Sequence, residues 1–188
     1  EYHHLEENSS QAQILSLIEN LNQKPEVNQI LIQQPLPSHL DPEILMNQVS
    51  AIKDVDGIGK INNGALWQNS KQEHLFAATP LGIIRLLKAY QIKLDGLKAL
   101  IIGRSNIVGK PMAGLLLQEN CTITIAHSHT QNLSELCQNA DLIVSATGHG
   151  HLIKKSMIKK GAIIVDVGIS RQENGKLIGD VDFDEVAD

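Results

Sequence analysis

Lys98-Ala99-Leu100-Ile101-Ile102-Gly103-Arg104-Ser105-Asn106-Ile107-Val108-Gly109-Lys110-Pro111 is the stretch that decides the fold of this chain. It opens on a short apolar run, predicted to be a strand over 98–102, and leads into a helix predicted over 111–118. Between them lies a turn bounded by Gly103 and Gly109. In that setting a dinucleotide pyrophosphate would meet backbone N–H groups and the positive end of a helix. The second glycine of the usual G-x-G-x-x-G pattern is replaced by Ser105, and a tight turn that only reverses the chain is the other reading.

Downstream, the same alternation continues. Strands are predicted over 122–126, 142–145 and 162–167, with a short helix over 133–137 between the first two. Strands alternating with helices imply βαβ units and a parallel sheet with right-handed crossovers. Upstream of the quoted stretch, Thr79-Pro80 reads as a cap followed by proline in a first helical turn. We place a boundary near residue 78. The expected fold is α/β, with part of a substrate domain over 1–78 and a Rossmann-like, parallel-sheet, dinucleotide-binding domain over 79–188.

The choice of dinucleotide is read from the end of the second strand, Ala126-His127-Ser128-His129-Thr130. NAD-preferring domains carry a carboxylate there for the ribose hydroxyls. None is present, whereas Ser128, two imidazoles and Arg104 could receive a 2′-phosphate through charge-assisted hydrogen bonds. This favours NADP, the alternative being plain loop polarity. Thr147-Gly148 and Gly168-Ile169 fall at the ends of the next two strands, where parallel sheets line their ligand crevice.

In the first half, a helix is predicted over 10–21, with Ser9 or Ser10 as cap, and a strand over 29–33. A second helix is predicted over 42–49, capped by Asp41, and residues 53–73 read as a long loop of the functional kind. Gln33 ends the strand with an amide able to donate and accept, although a capped strand end is the simpler reading. Asp54 and Asp56 stand two apart before Gly57, so in extended chain their side chains point oppositely and one at most faces a pocket. A surface Asx turn is the alternative.

Composition narrows the classes of function. The net charge is −5 and aromatic residues make up 3% of the 188, which argues against nucleic acid as a partner. An apolar content of 42% without a run of about twenty apolar residues argues against a membrane span. Cys121 and Cys137 lack metal-ligand spacing and read as small buried hydrophobes, with a disulfide as the alternative, so a reducing, cytoplasmic setting is expected. The His-x-His pairs 127/129 and 149/151 lack the company of a zinc site, and no metal is expected.

Taken together, IQQPLP at 32–37, KDVDG at 53–57, ATPLG at 78–82, GRSNIVGKP at 103–111, HSHT at 127–130, ATG at 146–148, DVGIS at 166–170 and GDVDF at 179–183 carry a resemblance. In order and spacing the chain resembles the tetrahydrofolate dehydrogenase/cyclohydrolase family. The resemblance implies an NADP-dependent oxidation of 5,10-methylenetetrahydrofolate and hydrolysis of the methenyl product, with folate in a cleft between two domains and a homodimer as the assembly. It also implies that Gln33 orients or activates a catalytic lysine and that Asp56 binds the pterin. Gly103, Arg104, Ser105, Ser128 and Ile169 would contact NADP, and Thr147 joins them by its strand-end position. The family's lysine is expected on a helix ahead of residue 1, and a glycine-rich stretch after residue 188. Ala77-Ala78 and His129 stand where the family more often has Pro-Cys and a basic Arg or Lys.

Overall fold

A computed structural model describes residues 1–71 and 74–187; Gln72, Glu73 and Asp188 lie outside the described residues, and with them the far end of the loop read over 53–73. The chain divides into two compact units, Glu1–Ala78 and Thr79–Asp188.

The first unit is built from helices α1 (Gln11–Gln23), α2 (Pro42–Gln48) and α3 (Lys60–Trp67). Ser10 caps α1 in a reciprocal capping box with Gln13, which satisfies two donors that the first helical turn would otherwise leave open. Asp41 caps α2 by accepting the N–H groups of Glu43 and Ile44 at 2.9 and 3.2 Å. Ile14 and Ile18, one turn apart on α1, pack with Leu40, Leu45 and Val49 into a small core.

Two expectations are corrected in this unit. The strand over 29–33 reduces to one parallel bridge, Ile30 to Asp54, because no longer run of extended chain lies beside it among the described residues. Residues 60–67 form α3 where a loop is read. Asn62, Asn63 and Gly64 are weak helix formers, and tertiary hydrogen bonds hold the helix instead. Asn62, 1% exposed, donates to Ala51 O and Asp54 Oδ2 and accepts the N–H of Leu75.

The second unit is a four-stranded parallel sheet in the order β2-β1-β3-β4, with β1 (Lys98–Ile102), β2 (Thr122–Ala126), β3 (Leu142–Ser145) and β4 (Ile163–Asp166). Helices α4 (Ala78–Ala89), α5 (Gly109–Gln118) and α6 (Leu133–Asn139) accompany it. The connection β1-α5-β2 runs one way and β2-α6-β3 returns across β1, so right-handed crossovers place α5 and α6 on opposite faces. Leu100, Ile102 and Ile143 pack with Cys137 and Ala140 on the α6 side, while Met112, Ala113, Leu115 and Leu116 are among the buried residues of α5, which packs on β1 and β2. Burial on both faces explains why β1 and β3 read as continuous apolar runs. A hairpin of β5 (Ser170–Arg171) and β6 (Leu177–Ile178) and a short α7 (Phe183–Val186) follow. Both cysteines are free and buried.

Lys53 ties the first unit together. Its buried ammonium donates to Leu21 O, Asn22 O and Lys24 O at 3.1, 2.7 and 2.7 Å, at the C-terminal end of α1, where the helix dipole favours a cation. Lys53→Met removes those donors while filling the same space. It is expected to lower stability by about 2 kcal/mol, the scale of a buried charge-assisted hydrogen bond, and chemical denaturation with an unchanged midpoint would show that the carbonyls are served equally well without it.

Candidate functional site

Register sets the site. Ile102 of β1 lies opposite Ala126 of β2 and Ser145 of β3, and Ser145 lies opposite Asp166 of β4. All four strands therefore end at one level. Residues 103–105, 127–130, 146–148 and 167–169 emerge side by side along a single crest. β1 lies between β2 and β3, the topological switch point where doubly wound sheets open a crevice for ligands.

The turn after β1 is shaped by contacts that exclude side chains. Gly103 has φ +124, and a Cβ on it would lie 2.5 Å from Ala146 O. A Cβ on Gly109 would collide with the carbonyl of Gly103. The loop is thus folded back on the start of α5 as tightly as two bare backbones allow. Ser105, in the place of the missing second glycine, supplies a hydroxyl that accepts the N–H groups of Val108 and Gly109 at 3.1 and 3.3 Å. It serves two donors at the start of α5, those of the cap residue Val108 and of Gly109, and the loop is pre-organised. Arg104 is exposed beside it, and among the described residues its guanidinium makes no hydrogen bond or ion pair.

At the exit of β2, the N–H of His127 donates to Thr130 Oγ1 at 2.8 Å and that of His129 to His127 Nδ1 at 3.2 Å. This tight turn leaves Ser128 and His129 exposed. The Gly103 N–H donates to Ala126 O at 2.9 Å, so the β1 and β2 exits share one hydrogen-bonded seam. At the exit of β3, Thr147 is half-buried, and Gly148 O accepts the Ser170 hydroxyl at 2.5 Å. That bond ties the β3 exit to the β4 exit, where Ile169 stands 72% exposed. Gly103, Arg104, Ser105, Ser128, Thr147 and Ile169 are thus all on one crest. Among the described residues no cluster of three His, Cys, Asp or Glu side chains could hold a metal ion.

Gln33 and Asp56 belong to the first unit. The parallel bridge of Ile30 with Asp54 sets their two segments side by side and running the same way, so both residues follow the same paired position. Gln33 is exposed, its amide donating to Gln34 O at 2.8 Å, and the Gln34–Pro35 peptide is cis. The two aspartates differ sharply. Asp54 is buried and accepts from Gly57 N–H, Gly59 N–H and Asn62 Nδ2 at 3.1, 2.8 and 3.0 Å, which fixes the turn. Asp56 is half-buried, and its carboxyl is held above the usual aspartate range by desolvation first and by the neighbouring Asp54 charge second. Sequence reading missed the two carboxylates that organise the second unit, Asp166 and Asp180. Nothing in the local spacing of DVG at 166–168 or GDVD at 179–182 marks that role.

Residues 1–56 match the family described as tetrahydrofolate dehydrogenase/cyclohydrolase, catalytic domain, and residues 77–188 match its NAD(P)-binding domain. The chain is 50% identical over 184 residues to the bifunctional protein FolD of Streptococcus sanguinis, covering 98% of this chain and 64% of that protein. It therefore spans about two-thirds, and slightly less, of the length of such relatives. The crystal structure of the bifunctional enzyme FolD, methylenetetrahydrofolate dehydrogenase/cyclohydrolase, from Campylobacter jejuni superposes with a TM-score of 0.96 at 46% identity, over 98% of this chain and 65% of that one. The Trypanosoma brucei methylenetetrahydrofolate dehydrogenase-cyclohydrolase, solved with NADP cofactor and an inhibitor, gives 0.87 at 29% identity, over 96% of this chain and 63% of that one.

The raised pKa of Asp56 has a direction that melting can read. Its folded-state value exceeds the unfolded one, so the protonated carboxyl favours the fold at low pH, and that contribution is lost as pH rises through the raised value. Asp56→Asn, a neutral mimic, is expected to melt higher than the wild type near neutral pH, with the difference closing below the ordinary value of 3.8. A difference constant across pH would assign the effect to packing.

Proposed function

Because the chain belongs to the tetrahydrofolate dehydrogenase/cyclohydrolase family, we propose that the protein oxidises 5,10-methylenetetrahydrofolate with NADP and hydrolyses the 5,10-methenyl product to 10-formyltetrahydrofolate. The observation that carries this reading beyond the family is the crest. A bare-backbone loop at the head of α5, an exposed Arg104 and a β2 exit free of carboxylate meet at one level. The fit to NADP is supported by the loop itself, since a Cβ at position 103 or 109 would strike neighbouring backbone and force this close-packed turn apart. Gly103 and Ser105 would receive the pyrophosphate, Arg104 and Ser128 the 2′-phosphate, and Thr147 and Ile169 the nicotinamide end. When bound, NADP supplies the hydride acceptor.

The protein's own contribution is positioning, in which effective concentration of the reacting groups lowers the barrier. Ile169, exposed and apolar at the β4 exit, offers a flat apolar contact that excludes water from a ring. The first unit is assigned to folate. Asp56 would accept from the N–H donors of the pterin, and Gln33 would orient the groups that move protons during hydrolysis of the methenyl carbon. Lys53 is not available for that chemistry, because its ammonium is held by three carbonyls. A homodimer formed through the second unit and a cytoplasmic location belong to the same proposal. No helix among the described residues is long and apolar enough to cross a membrane.

The purified protein is tested with 5,10-methylenetetrahydrofolate and either NADP or NAD, reading the absorbance of the reduced nicotinamide. Reduction of NADP in preference to NAD is expected. Binding of NADP without turnover would favour a nucleotide-binding module, and turnover without methenyl hydrolysis a dehydrogenase alone. Arg104→Ala removes a charge-assisted partner worth ~1.5–3 kcal/mol. It is expected to raise KM for NADP by about tenfold or more while leaving that for NAD within about twofold. Equal effects on both would place Arg104 away from the 2′-phosphate.

A further inference from the structure

Asp180 is completely buried, and its hydrogen bonds converge on one oxygen. Oδ2 accepts Ser145 Oγ at 2.8 Å, the Thr147 N–H at 2.7 Å and Thr147 Oγ1 at 2.9 Å. Oδ1 has no hydrogen-bond partner among the described residues. It occupies the space a side chain on Gly168 would take, since a Cβ there would overlap the carboxylate.

The residue is anchored from the opposite strand. Asp166, the last residue of β4, accepts the N–H groups of Asp180 and Val181 at 3.0 and 2.9 Å, and that of Gly168 at 3.1 Å. Asp180 therefore has a fixed backbone, a fixed side chain, and contact with the exits of both β3 and β4. Joining two loops does not require this. Apolar packing would do so without burying an oxygen that has no donor, an arrangement that costs stability. What three donors on one oxygen achieve is direction. The Thr147 hydroxyl gives its proton to Asp180 and accepts the His149 N–H at 3.1 Å, so its orientation is fully determined. Gly148 follows immediately, and its carbonyl is held by Ser170.

We propose that Asp180 is the positioning residue of the nicotinamide end of the site. It touches no ligand, and it sets where the 147–148 turn and Gly168-Ile169 stand relative to each other. The proposal rests on the NADP reading above. β3 and β4 lie on the side of β1 away from β2, so the turns that Asp180 fixes are remote from the β2 exit assigned to the 2′-phosphate. Loss of Asp180 should therefore be felt at one end of the dinucleotide.

The test compares two ligands on the purified protein by direct binding: NADP, and 2′-phospho-ADP-ribose, which lacks only the nicotinamide. Asp180→Ala is expected to weaken NADP binding by about tenfold or more and to change 2′-phospho-ADP-ribose binding by about twofold at most. Asp180→Asn, which keeps an oxygen toward the three donors and loses the charge, is expected to fall between wild type and alanine for NADP alone. Equal weakening of both ligands, or of neither, would overturn the proposal. If the alanine variant fails to fold, the asparagine variant decides by the same ratio. Wild-type protein that binds neither ligand would overturn the NADP reading and this proposal with it.

Discussion

Backbone hydrogen bonds along the order β2-β1-β3-β4 fix the level at which the four parallel strands of the second unit stop. A parallel sheet permits few registers, because a shift of one residue would turn the apolar residues of β1 and β3 to the opposite faces. With Ile102, Ala126, Ser145 and Asp166 aligned, polar chemistry has one place to emerge. The core residues Leu100, Ile101, Ile143 and Val144, all nearly inaccessible, give that alignment its rigidity. The loops above can then be short, since the strands below already place them.

Carboxylates divide the labour in both units. Asp54 in the first, and Asp166 and Asp180 in the second, accept backbone N–H groups from turns that no helix or strand serves. An anionic acceptor suits this task because each bond to it is stronger than one between neutral groups. Asp56 stands apart. Two residues from Asp54, it lacks that set of donors, and its carboxyl is raised by burial and by its neighbour's charge. Such a group keeps acceptor capacity that the fold does not use, whereas Asp54 is committed to the fold.

The legibility of the fold in the sequence followed from where stability is local. β1, β2 and β3 were readable to the residue because uninterrupted or alternating apolar runs bounded by Gly, Asn and Asp leave little choice. α1 and α2 were readable because Ser10 and Asp41 announce their starts. α3 was not, since Asn62 contributes through contacts with residues 51, 54 and 75 rather than through propensity. The strand over 29–33 failed for the converse reason, because its pattern was right and a strand needs a neighbour. In the site, the loop residues were visible as motif. Ser105 looked like a departure from that motif, and its service to the N–H groups of Val108 and Gly109 depends on geometry that spacing does not encode. Asp180 was invisible because its partners lie 33 and 35 residues away.

The two thiols of the chain both belong to the second unit. Burial pushes Cys137 up to about 11 and raises Cys121 as well, whose Sγ donates to Leu94 O at 3.3 Å. Reaction with an alkylating reagent needs the thiolate in contact with solvent, and the folded sheet withholds both. Cys137 is on the buried face of α6, against Leu100 and Ile143, so its labelling requires that the sheet and its covering helix part. The chain thus carries an internal clock. The rate at which these sulfurs are modified measures how often the second unit opens, independently of any catalytic turnover above it.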